Sequence, residues 1–247
     1  MINKYFKNIS ILLEKVQAVE KNNMSEAANK IAATMQNDGI IHLFGSGHSH
    51  LLALEAFYRA GGLVAIHPIL QEELMLHKDP ILSSTLERRN NYAQHFMEKQ
   101  DIKEGDTLFV ISTSGRNPVP IDVALFGREK KAFVIGLTSV EYSKSQDSKH
   151  ISGKHLYEVV DLIIDSHAPK GDALLTHDKV SMPFSPSSTV IGATIINAII
   201  SKAIATLAEK GIDPPIFLSG NIEGADKHNE KLIVNYKKRI SLLQSNT

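Results

Sequence analysis

Five short runs in this chain are almost wholly apolar, and most of them stop at a turn rich in glycine or hydroxyl side chains. They are Gly39-Ile40-Ile41-His42-Leu43-Phe44, Leu63-Val64-Ala65-Ile66-His67-Pro68, Thr107-Leu108-Phe109-Val110-Ile111, residues 131–138 and Val159-Val160-Asp161-Leu162-Ile163-Ile164-Asp165. A run of this length without strict polar alternation fits a strand covered on both faces. Between the runs lie segments with helical spacing. A helix is expected over about 51–60, and a helical pattern broken at Pro80 over 72–99. Another helix starts at Pro118, where a missing N–H does no harm. Strand and helix in alternation call for a parallel sheet with right-handed crossovers.

The ends add further helices. Tyr5, Phe6, Ile9, Leu12, Leu13 and Val16 form a three-and-four stripe, Asn22-Asn23 breaks it, and a second helix capped near Ser25 runs through Ala28, Ile31, Ala32 and Met35. A long apolar helix is expected over 187–210 and a polar-faced one over about 225–243. No repeat, low-complexity run or linker divides the 247 residues. The reading is one doubly wound α/β domain with extra N- and C-terminal helices: a core over 31–214, an N-terminal helical extension over 1–30, and a C-terminal loop and helix over 215–247.

Charge and composition exclude several classes. Lys plus Arg is 27 and Asp plus Glu is 27, so no whole-chain basic field exists to hold a phosphate backbone, and no nucleic-acid partner is expected. With no cysteine there is no disulfide, thiolate nucleophile or Cys-based zinc site, which fits a cytoplasmic protein. The first twenty residues lack the pattern of a secretory signal. The stretch Val190 to Ala208 is long enough to span a bilayer. However, Asn197, Ser201 and Lys202 lie in its middle, and a central Lys costs about 2.5–3.5 kcal/mol on insertion. It reads as a helix buried in a core or a subunit interface, so no membrane partner is expected.

Two loops carry the chemistry. In an open parallel sheet, ligands bind beyond the carboxyl ends of the strands near a topological switch point. Gly45-Ser46-Gly47-His48-Ser49 follows the first strand. Its sixth position is His50, so it is not a dinucleotide fingerprint, and no Gly-Lys-Ser/Thr follows, so it is not a Walker loop. Ser112-Thr113-Ser114-Gly115-Arg116-Asn117 follows the third strand. Three hydroxyls in succession exceed what helix capping needs, and at a helix N-terminus they suit a phosphate monoester. Arg116 either adds a charge-assisted bond or faces water.

Together these loops resemble those of the sugar isomerase (SIS) domain family, with similarity to phosphoheptose isomerases. The order of strands and the two leading helices match as well. The resemblance implies a flavodoxin-like doubly wound five-stranded parallel sheet, a phosphorylated sugar as ligand at the two loops, and a homodimer or tetramer. The family contains isomerases, an ether-cleaving lyase and sugar-phosphate-sensing regulators. Regulators usually carry a separate DNA-binding domain, for which the region before Gly39 is too short.

Isomerisation needs a base to move a proton between adjacent carbons, and often a second group to open the ring. Glu72 and Glu73, just after the second strand, are the candidate bases, and a charged first helical turn is the plainer alternative. Glu55 is a further possibility. Among eleven histidines, His48 lies in the first loop. His228 lies at the start of the final helix, where a C-terminal residue closes the sugar site in several SIS enzymes. Glu73 and His77 share a helix face but form only a two-ligand fragment, so no metal and no cofactor are expected. The segment from His167 through Lys170 to Pro186 departs from the common SIS pattern and is expected to bear on substrate choice. The leading reading is a sugar-phosphate isomerase acting by proton transfer. The alternatives are a lyase that cleaves the lactyl ether of an amino-sugar phosphate and a non-catalytic phosphosugar sensor.

Overall fold

The computed structural model describes residues 1–244. Five parallel strands, β1 (Ile41–Gly45), β2 (Ile66–Ile69), β3 (Thr107–Ile111), β4 (Phe133–Thr138) and β5 (Leu162–Asp165), form one sheet in the order β2-β1-β3-β4-β5. The switch point lies between β1 and β3. Nearly every strand residue is buried, as runs without alternation require. The pleat sends neighbours to opposite faces. Phe109 and Ile111 pack beneath α1 (Ile2–Val19), α2 (Lys21–Gln36), α3 (His50–Ala56) and α8 (Ser188–Glu209). Leu108 and Val110 pack against α5 (Gln94–Met97) and α6 (Pro118–Glu129).

Helix α8 is a core helix. It packs mainly on α2, and half of its most apolar stretch is buried inside the protein. Its start is fixed from outside: the Asp172 carboxylate accepts from the backbone N–H groups of Ser187 and Ser188, each at 2.9 Å. The remaining helices are α4 (Pro80–Glu87), α7 (Val140–Lys144) and α9 (Ala225–Tyr236).

Several boundaries differ from the expected ones. The first two helices break at Glu20, not at Asn22-Asn23, because the buried Glu20 side chain accepts from Asn23 Nδ2 at 3.0 Å. Ser25 lies inside α2 and bonds back to the Lys21 carbonyl at 2.8 Å instead of capping. The 72–99 segment holds a single 3₁₀ turn (Glu72–Leu74), then α4, then α5. Asp79 caps α4 through the N–H groups of Ile81 and Leu82, and Asn91 leaves the helical region at φ +62°. The last helix ends at Tyr236. The segment after β5 folds as an antiparallel hairpin, β6 (Leu175–His177) with β7 (Val180–Phe184), whose strands are too short and exposed to show a period.

A buried polar cluster closes the amino-terminal end of the sheet. His42 Nε2 donates to Asp106 at 3.2 Å, and the Nδ1 atoms of His42 and His67 lie in hydrogen-bond contact at 3.1 Å. Arg239, beyond α9, binds the Asp106 carboxylate with two nitrogens at 3.1 and 2.7 Å and reaches Asp101 at 3.0 Å. The cluster ties the C-terminal segment to three neighbouring strands. Burial alone would raise the Asp106 carboxyl. Hydrogen bonds from His42, Arg239 and the N–H groups of Ile40 and Lys103 outweigh it and hold the group well below the usual carboxylate range.

Candidate functional site

Gly45 and Ile111 are register partners on β1 and β3, so the two loops leave the sheet side by side at the switch point. A Cβ at Gly45 would meet the Ser49 carbonyl carbon and oxygen at 2.5 Å, so the first loop can fold back only over a glycine. It makes one 3₁₀ turn, Gly47–Ser49, with Gly47 at φ +56°, and runs into α3. His50 braces the turn through the Gly47 carbonyl, while His48 is exposed. Ser46 is buried, and its hydroxyl donates to Glu87 Oε1 at 2.7 Å.

The second loop is shaped by Gly115 at φ +57°. A Cβ there would lie 2.5 Å from Ser143 Oγ and 2.7 Å from Thr138 Oγ1. Ser112 Oγ accepts from the Gly115 N–H at 3.2 Å and is thereby used in the turn. Among the described residues, no side-chain hydrogen bond occupies Thr113 Oγ1 or Ser114 Oγ, and both residues are half-buried at the mouth. Asn117 precedes α6 without capping it. Pro118 and Pro120 remove two donors from the first turn of α6, so an anion here would be held more by hydroxyls and loop N–H groups than by the helix end.

Arg116 does not simply face water. Its Nε donates to the Asp147 carbonyl at 2.8 Å and its Nη1 to Gln146 at 3.3 Å, holding a strap that follows α7. Asp122 ties the strap down by accepting from His150 Nε2 and from the Asn91 N–H, both at 2.9 Å. The Lys149 N–H donates to the Arg116 carbonyl at 2.9 Å, and Lys149 comes within the electrostatic reach of Arg88, Arg116 and Glu87. Partial desolvation and then the two guanidinium charges lower the Lys149 pKa, with Glu87 opposing them.

The other marked groups are spread more widely. Glu72 pairs with Lys78 at 3.2 Å on the surface. Glu73 accepts from the Tyr92 hydroxyl and from Gln71 at 3.1 Å. Burial, then that bond to Glu73, pushes the Tyr92 phenol up to about 12. Glu55 accepts from Arg59 and Asn197. His228 is exposed on α9 and donates to the Ile216 carbonyl at 2.9 Å. After β5, His167 lies between Glu20 and Asp165 at 3.3 and 3.4 Å, and Lys170 is exposed. Among the described residues, no group of three His, Asp or Glu side chains could hold a metal ion.

The family model of the SIS domain matches residues 4–139, a span that contains both loops. The chain belongs to the SIS domain family. Its SIS fold is shared at low identity with the phosphoheptose isomerase of Neisseria gonorrhoeae (16% identity, TM-score 0.53, covering 83% of this chain and 97% of that one). A phosphoheptose isomerase of Francisella tularensis gives the same picture (16%, 0.53, 82% and 95%). A UPF0309 protein of Halalkalibacterium halodurans is 59% identical over 243 residues, 98% of this chain and 97% of that protein. The SIS reading of the sequence passed over Glu87, Arg88 and Lys149. They stand in a helix end and a loop of ordinary surface composition, and no local pattern marks them.

Proposed function

We propose that the crevice between the β1 and β3 loops binds a phosphorylated sugar, and that the protein is a sugar-phosphate isomerase working by proton transfer. The observation that carries this reading is the pair of unengaged hydroxyls, Thr113 and Ser114, on a turn that only glycine permits, beside the first loop at the switch point. Neutral donors around an anion in a half-buried crevice favour a phosphate without the desolvation cost of a buried cation. Ser49, the Ser112 O–H, which only accepts within its turn, and the N–H groups of both loops complete the proposed set, with Ser46 holding Glu87 beside them. Glu72, Glu73 and His228 remain proposed acid–base groups, with ring opening among the roles open to them. The chain is further proposed to act in the cytoplasm as a homodimer or tetramer.

The test is thermal stability with sugar phosphates against the free sugars. A phosphorylated ligand at ~100 times its dissociation constant adds about 2.7 kcal/mol. Ser114→Ala is expected to weaken that binding by about 1–3 kcal/mol, the cost of one hydrogen bond to a charged group, with folding unchanged. Equal shifts from a sugar and its phosphate would sink the proposal. One observation favours a related second reading: Arg88, Arg116 and Lys149 at the mouth suit a substrate with another anionic group, as a lactyl-ether lyase would need.

A further inference from the structure

A carboxylate other than the two that follow β2 meets the first loop directly. Glu87 ends α4, which starts at the Asp79 cap and packs on the turn carrying Glu72 and Glu73 through Ser83 Oγ, 2.8 Å from the Leu74 carbonyl. Its length of eight residues carries the chain back across the carboxyl end of the sheet. There Glu87 Oε1 takes the Ser46 hydroxyl at 2.7 Å, within the first loop itself. The side chain is half-buried, and its charge, like those of Arg88 and of Arg116 in the second loop, reaches Lys149 of the strap. Among the described residues, no hydrogen bond or ion pair engages its Oε2. Three other carboxylates near this end are taken: Glu55 by Arg59 and Asn197, Glu72 by Lys78, Glu73 by Tyr92 and Gln71.

We propose that Glu87 is a further catalytic residue, the carboxylate that carries the proton between adjacent carbons of the bound sugar phosphate. The assignment rests on the isomerase reading above. With the phosphate on the second loop, the carbonyl end of the sugar lies toward the first, where Ser46 holds one oxygen of Glu87 and leaves the other open. Glu87 Oε2 takes the proton from the carbon beside the carbonyl. The C–H electron pair becomes the C=C bond of an enediolate, and the carbonyl π pair moves onto oxygen. Glu87 then returns its proton to the former carbonyl carbon, the remaining hydroxyl proton passes between the two oxygens, and the carboxylate is regenerated. Nothing is oxidised overall and no co-reactant is needed.

Glu87→Gln keeps the shape and the Ser46 contact but cannot accept a proton. Glucose 6-phosphate, sedoheptulose 7-phosphate and glucosamine 6-phosphate serve as probes, with binding read by thermal shift and deuterium uptake from D₂O read by proton NMR. For a probe that the wild type binds and exchanges, Glu87→Gln is expected to bind within about threefold and to exchange about 10²–10⁴-fold more slowly. Glu87→Ala with added formate is expected to recover part of the exchange. Exchange by Glu87→Gln at the wild-type rate overturns the assignment and leaves the phosphosugar site standing. Loss of binding by a folded Glu87→Gln also overturns it, because the residue then serves affinity. If Glu87→Gln does not fold, formate rescue of Glu87→Ala decides, and no rescue counts against the proposal. Wild type that binds a probe without exchange overturns the isomerase reading and Glu87 together. Wild type that binds none of the probes overturns the site itself.

Discussion

The cluster at the amino-terminal end of the sheet makes stability depend on pH in a way that one residue dominates. His67 is 8% exposed. Burial, then the neighbouring His42 and the Arg239 cation, lower its pKa from 6.5 to about 4, against an opposing pull from Asp101. Lys103 pairs with Asp101 at 3.1 Å at the edge of the same cluster. Above pH 6.5 the imidazole is neutral in both the folded and unfolded chain and costs nothing. As pH falls below 6.5 the unfolded chain gains a proton that the folded chain refuses, so stability is lost until the folded His67 also protonates near pH 4. Each factor of ten in proton affinity is about 1.4 kcal/mol, so the whole limb is worth about 3 kcal/mol. Urea unfolding from pH 7.5 to 4 is the assay, with wild type compared against His67→Asn, which leaves an amide beside His42. The variant is expected to be less stable at pH 7.5 and to lose about 3 kcal/mol less across the limb. Parallel pH profiles for the two proteins would refute the reasoning.

Two other expectations follow from packing and conformation. Gly115→Ala places a Cβ against Ser143 Oγ and Thr138 Oγ1 at a positive φ, and should cost about 1–3 kcal/mol of stability by denaturant titration. It should also weaken sugar-phosphate binding more than Ser114→Ala does, because it moves the whole turn. Phe6 and Ile2 on α1 are 69% and 74% exposed, and α1, α2 and α8 enclose an apolar groove of about 590 Å³ that includes Leu13, Met24 and Ile199. Light scattering at micromolar concentration is expected to give a dimer or larger, and a stable monomer mass would count against the proposed assembly.

The class of fold and the position of the two candidate loops were legible in the sequence because both are local. A buried strand must be apolar along its length, and a tight turn that bends back on a helix must carry glycine. Thus Leu108 to Ile111 and Gly115 announce themselves without their neighbours. The limits of the helices over residues 1–36 and 72–99 were less legible. They hinge on Glu20 buried against Asn23 and on the Asp79 cap, where side chains outbid propensity. The hairpin at 175–184 leaves no period to read because its strands are short and mostly exposed.

Site chemistry divides in the same way. Ser112, Thr113 and Ser114 are adjacent in the chain, so their hydroxyls are together in any fold that makes the turn. Within that turn Ser112 Oγ accepts from the Gly115 N–H, and among the described residues no side-chain hydrogen bond holds the other two. Glu87 meets Ser46 across 41 residues, and Arg239 meets Asp106 across 133. A carboxylate's partner depends on which strands the crossovers bring alongside. Composition and spacing along one chain carry no record of that, and only the packed sheet decides it.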